Sequence, residues 1–199
     1  MDCMIHRQAL SSKTLPTLLQ STLDEIIQVV NFIEGSALNS RLFKQPCEGM
    51  DANHQLLLYH TKVCWLSKGN VTKRVIELRD ELNLFFQESS MLEFLSWLND
   101  AEWIIRLGYL TDIFGQLNKL NLQMQGRNTN IIKFVDCLKA FIDKLGNWKR
   151  KVAVKNVGTF ENLDMILVEN SNQIPSSIQL AITAHLKRLE EKFRSYSLK

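Results

Sequence analysis

Apolar residues recur at three- and four-residue spacing along most of the chain, the period of helices with one buried face. Leu19, Leu23, Ile26, Ile27, Val30 and Ile33 predict an amphipathic helix over 16–34, with Pro16 in its first turn and Gly35 at its end. Ser36 then caps a short helix through Leu38, Leu42 and Phe43, which Pro46 stops. "CEGMDAN" reads as a loop and "QLLLYHTKVCW", residues 55–65, as an extended strand. After Gly69 a helix face runs through Val71, Val75, Leu78, Leu82 and Phe85 to about Gln87. Ser89 or Ser90 opens a short helix carrying Leu92, Leu95, Trp97 and Leu98. Asp100 starts the longest segment, with Trp103, Ile104, Leu107, Phe114, Leu117 and Leu120 on one side, ending at Gly126. Asn128 or Thr129 caps a helix through Ile131, Val135, Leu138, Ile142 and Leu145. Thr159 and Ser176 open two more, the last with Ile178, Ile182, Leu189 and Phe193. Seven or eight helices with short joints make a mainly α assembly. Neither an internal repeat nor a low-complexity tract interrupts it.

Composition agrees with that class. The 199 residues are 45% hydrophobic and 23% charged, with only three prolines and eight glycines, few for an all-β chain. No apolar run approaches the ~18 residues of a membrane span. "MDCMIHRQAL" has neither the apolar core nor the cleavage site of a secretory signal, so an intracellular setting is expected. Cys3, Cys47, Cys64 and Cys137 form no C-x-x-C pair and read as free thiols in a reducing compartment. The net charge of +3 is small, but between Arg127 and Lys155 eight basic residues face only Asp136 and Asp143. Lys133, Lys139, Lys144, Lys149, Arg150 and Lys151 are therefore candidates for binding phosphates, set against the commoner role of such runs as solvated helix faces.

Catalytic chemistry is hard to find. Cys3 and His6 lie one helical turn apart, but a closed zinc site needs about four ligands and a catalytic one about three plus water. His54, His60 and His185 have no partner at suitable spacing, and nothing local orients a histidine toward a thiol. Glu77, Asp80 and Glu81 sit beside Lys73, Arg74 and Arg79, as on any solvated helix. No Gly-rich phosphate loop, G-x-S-x-G or H-E-x-x-H is present. These residues imply no metal, cofactor or small-molecule substrate. The unusual residue is Trp65, in a short apolar stretch just before "SKG".

Four blocks, "CMIHRQAL", "LPTLLQSTLDEIIQVVNFIEGSALNSRLF", "LLLYHTKVCWLSKGNVTKRVIELRDEL" and "YLTDIFGQLNKLNLQMQGRNTNI", in this order resemble the hAT-type transposases. The likeness is greatest to their domesticated BED-type zinc-finger and SCAN-domain group. It implies a helical bundle corresponding to the insertion domain of a ribonuclease-H-like transposase, with at most one short strand near residues 55–65. Residues 1–66 would be a partial flank of the catalytic fold and residues 67–199 the insertion-like region. The family's C-x-x-H motif falls on Cys3 and His6, and its Arg-Trp motif on Cys64 and Trp65. That tryptophan can stack on a displaced base, an interaction worth ~1–3 kcal/mol. Cys64 replaces the arginine, however, so a permanent cation is lost. The family's catalytic carboxylates would lie outside this chain, which implies a protein that is not an enzyme.

The implied role is a non-catalytic, transposase-derived interaction or self-association module, nuclear rather than cytoplasmic. The alternative is residual, weak DNA binding through the 127–155 segment and Trp65. Trp65 is expected to be a core plug, so that Trp65→Ala costs ~3–5 kcal/mol. As part of a larger fold, the chain is also expected to expose apolar faces. These are Cys3 to Leu10, Leu19, Leu23 and Ile26 on the 16–34 helix, and Ile182, Leu186 and Phe193 on the last.

Overall fold

The buried positions between Leu19 and Ile33 follow the expected period, and the chain there forms α1, Thr17–Glu34. The computed structural model describes residues 14–50, 54, 57, 66–124, 131–170 and 173–197. Among them are eight further helices and no strand. They are α2 (Ala37–Gly49), α3 (Leu66–Glu77), α4 (Arg79–Glu88), α5 (Leu92–Leu98), α6 (Ala101–Met124), α7 (Ile131–Ala153), α8 (Glu161–Glu169) and α9 (Ser176–Ser197). The protein is mainly α, as its periodicity predicts. The strand expected over 55–65 lies outside the described residues except at Leu57, which is in no regular element.

Several boundaries differ from the sequence pattern, each for a local reason. Ser36 does cap α2, accepting the Asn39 N–H at 3.3 Å. Pro46 does not stop α2. It lies within the last turn, where a proline forfeits one backbone bond, and it is buried with Phe43 and Cys47. The face from Val71 to Phe85 belongs to two helices rather than one, jointed at buried Leu78. Backbone bonds from Leu78 to Arg74 and from Leu82 to Leu78 carry the helical phase across the joint, so periodicity alone does not reveal it. Ser89 and Ser90 end α4 instead of opening α5: the Ser89 hydroxyl donates to Phe85 O, and Ser90 adopts a positive φ of 55°.

Gly69 lies inside α3, where its missing side chain permits a close approach. A Cβ there would come within 2.8 Å of Asn118 Nδ2 and 3.3 Å of the Phe114 backbone on α6. α6 itself is buried not on one side but nearly all round, from Trp103 through Leu117. A helix apolar on every face belongs at the centre of a bundle. Around it pack α1, α3, α5, α7, α8 and α9.

α6 is also the hub of long-range polar contacts. Trp103 Nε1 donates to Glu25 Oε2 of α1 at 2.7 Å, and Arg106 Nε to Thr22 Oγ1 at 2.8 Å. The Tyr109 hydroxyl and His185 Nδ1 of α9 share a fully buried hydrogen bond of 2.8 Å. Asp112 reaches α8, whose N-terminus has no local side-chain cap at Phe160. Its carboxylate accepts the Asn162 side-chain amide at 2.6 Å and the backbone N–H groups of Asn162 and Leu163 at 3.2 and 3.0 Å. Burial nevertheless raises the Asp112 carboxyl above the ordinary range, outweighing those bonds.

Two aromatic clusters flank this column. One joins Phe32, Phe85, Phe86 and Phe94 of α1, α4 and α5 at centroid distances of 4.9–6.0 Å. The other joins Phe141 and Trp148 of α7 with Phe160 and with Phe193 of α9. The apolar faces expected to be exposed are therefore covered. Leu19, Leu23, Ile26, Ile182 and Leu186 are at most 1% exposed, and Phe193 is buried at 8%. The helices close their own core: α1 seats its stripe against α2, α3, α6 and α9, while α9 lies along α7. Cys3 to Leu10 lies outside the described residues.

Candidate interaction groove

α7 is an amphipathic helix whose Leu138, Phe141, Ile142, Leu145, Trp148 and Val152 are buried. Its basic residues divide among the remaining faces instead of forming one patch. Lys149 turns to α9 and holds Glu190 at 2.7 Å. Arg150 pairs with Asn147 and lines a shallow hollow with Asp143 and Arg194. Lys139 and Lys151 are exposed. Lys133 and Lys144, eleven residues and three turns apart, stand on a common face that borders α6.

Between α6 and α7 that face opens into a groove of about 410 Å³. Its rim carries Lys119, Gln116 and Gln123 of α6 opposite Lys133 and Lys144 of α7. Leu120 and Phe141 form the floor, and the small side chains of Cys137 and Ala140 leave the space between the two α7 lysines open. No carboxylate is among the described residues that line the groove; Asp136 and Asp143, four and three residues from Ala140, lie on the adjoining stripe of α7. The 127–155 charge run points to Lys133 and Lys144 but not to Lys119. On α6 the matching positions, Gln116, Lys119 and Gln123, recur at three- and four-residue spacing, but they are not set apart from the helix's other polar residues, such as Asn118 and Asn121.

Elsewhere the chemistry is structural. Glu190, held by Lys149 and also by Arg194 at 2.9 Å, has its carboxyl pulled below the ordinary range, chiefly by the Lys149 hydrogen bond. A depressed folded value means this network stabilises fully above the unfolded glutamate value, and its contribution is lost as pH falls through the folded one. Glu190→Gln is expected to melt below the wild type at neutral pH, with the two melting temperatures converging as the solution is acidified. Equal separation at all pH values would show that the charge is not what stabilises. Cys47 is buried, and its thiol is pushed up to about 11 by burial, with Glu81 and Glu48 adding, which keeps it protonated and inert. Among the described residues no three His, Cys, Asp or Glu side chains gather as metal ligands, and no helix is long and apolar enough to cross a membrane. Cys3, His6, Cys64 and Trp65 lie outside the described residues.

Residues 2–153 match the model of the FAM200/GTF2IRD2 helical domain, and the chain belongs to that family. It is similar to General transcription factor II-I repeat domain-containing protein 2 of Bos taurus, with 32% identity over 197 residues. That match takes in 98% of this chain and 20% of the relative, so the chain spans about one fifth of the relative's length. No solved structure matches it.

Proposed function

We propose that the chain is a non-catalytic, transposase-derived helical module whose task is protein association in the nucleus. The observation that carries this reading is the α6–α7 groove, an open helical seam with a basic rim. Family membership supports it, because the relative is named for a repeat domain of a general transcription factor and the matching region is a small part of a much longer protein. The hAT and BED-type ancestry supplies the finer version. In it residues 1–66 descend from the flank of a ribonuclease-H-like fold, residues 67–199 from its insertion, and Cys3, His6 and Trp65 are inherited motif positions.

The second reading, weak nucleic-acid binding, is favoured by the exposed Lys139, Arg150 and Lys151 of α7. Salt separates the two, since each phosphate contact releases counterions and steepens the decline of affinity with ionic strength. Retention on duplex and single-stranded DNA is expected to vanish by physiological salt. Retention that survives there, and falls when Lys139, Arg150 and Lys151 are replaced by glutamine, would establish the nucleic-acid reading instead. Incubation with supercoiled DNA in magnesium or manganese is expected to give no nicking. Nicking that stays with the protein through successive columns would overturn the non-catalytic assignment. Crosslinking of the full chain in nuclei, read by mass spectrometry, tests association directly: repeated protein crosslinks are expected, and their absence would overturn the reading.

A further inference from the structure

We infer that the occupant of the α6–α7 groove is an acidic amphipathic helix from a partner protein, packed as a third helix along the seam. The inference rests on the protein-association reading and adds the chemistry of the partner.

The seam has helical geometry on both sides. Lys133, Cys137, Ala140 and Lys144 are spaced four, three and four residues apart, and Gln116, Lys119 and Gln123 three and four apart. These are the spacings that present one stripe of a helix to a neighbouring helix. On α7 the two middle positions of that stripe are small, Cys137 half-buried and Ala140 exposed, so space is left where a core-facing stripe would carry leucines. At 1.5 Å per residue the stretch from Lys133 to Lys144 is about 16 Å long, room for roughly three turns of a docked helix with apolar anchors at i, i+3 or i+4, and i+7.

Charge selects the occupant. Lys119 and Lys144 stand exposed on opposite sides of the seam, and no carboxylate is among the described residues that line it. Aspartate or glutamate flanking the apolar stripe of the incoming helix would meet these ammonium groups at the rim, where such pairs contribute mainly specificity and association rate. A nucleic acid fits less well. Its phosphates have nothing apolar to lay against Cys137 and Ala140, and Phe141 is only 4% exposed, so it offers no ring face on which a base can stack.

The test uses the full chain and a fluorescein-labelled three-turn peptide with leucine at four-three spacing flanked by glutamate, beside a twin in which lysine replaces glutamate. Fluorescence anisotropy is expected to show saturable binding of the acidic peptide and much weaker binding of the basic one. Lys119→Glu with Lys144→Glu should weaken the acidic peptide by about tenfold or more and improve the basic one. Ala140→Trp, which fills the seam without changing charge, should abolish both. All the altered side chains are exposed, so circular dichroism melting should be unchanged; if Ala140→Trp melts early, the lysine pair decides alone. No binding of the acidic peptide, equal binding of the two peptides, or indifference to the lysine reversals overturns the inference. So does competition by duplex DNA that is lost in the same reversals, which would make the seam a phosphate site. Nuclear protein crosslinks that persist unchanged in the lysine-reversed chain would overturn the seam and leave the association role standing. The loss of all crosslinks from the wild-type chain would overturn both.

Discussion

Replacing Gly108 by valine is expected to destabilise the protein by about 3 kcal/mol, a severe case of overpacking. In a chain of this size that lowers the melting temperature by roughly 6–12 °C. The reason lies across the bundle, in the first turn of α8. A Cβ at Gly108 would sit 2.7 Å from Ile166 Cδ1, a movable side-chain tip, but also 3.1 and 3.2 Å from Leu163 Cα and N, which are backbone. The backbone of α8 can yield only by moving away from α6. That movement breaks a second contact, because the same Leu163 N–H donates to Asp112 one turn further along α6. Gly108 admits the helix and Asp112 caps it.

Asp112→Ala alone should cost about 1–3 kcal/mol by leaving the N–H groups of Asn162 and Leu163 without an acceptor. Gly108→Val combined with Asp112→Ala should cost less than the sum, because either change releases the same turn of α8. Thermal melts of the four proteins check this. Strict additivity would show that the two residues act on α8 independently.

The second large effect is expected at Tyr109. Its ring is fully buried, 5.4 Å from Phe160 and 5.8 Å from His185 between centroids, and its hydroxyl meets His185 Nδ1. Tyr109→Ala removes a large aromatic from the centre of the bundle and should cost about 3–5 kcal/mol. Tyr109→Phe keeps the ring and removes only the hydroxyl, for about 1–3 kcal/mol. Burial drives the phenol well above its ordinary value, so no ionisation of Tyr109 is expected in an alkaline titration until the protein unfolds. Chemical denaturation of the two variants gives the energies, and ultraviolet difference spectra follow the phenol. A Tyr109→Phe protein as stable as wild type would mean that the hydroxyl gains no more from His185 than it loses by leaving water.

Why some of this was legible in the sequence and some was not follows from the range of the forces. α1 and α7 bury single stripes, so Leu19 to Ile33 and Leu138 to Leu145 announce them by spacing alone. α6 was legible as a helix but not as the centre, because Ile105, Tyr109, Leu110 and Ile113 fall off the stripe and only their burial gives them meaning. The faces of α1 and α9 were expected to be bare because their cover comes from elements far along the chain, such as α6 against α1. Gly108 and Asp112 carried no local signal at all, since the turn they hold begins some fifty residues later. The groove was half legible. Lys133 and Lys144 stood out within a basic run, while Lys119 acquired significance only when the fold set α6 beside α7.

The all-round burial of α6 also has a consequence for how the protein is made. His185, the polar partner of Tyr109, is 76 residues further on, and at ribosomal speeds of about 5–20 residues per second it emerges roughly 4–15 s later. For much of that interval a nascent chain exposes the faces of α6 that α8 and α9 will cover, because neither has yet been synthesised. Ribosome-bound chains halted just after α7 should therefore bind chaperones of the exit site strongly and be readily digested by protease, with both properties disappearing once α9 has cleared the tunnel.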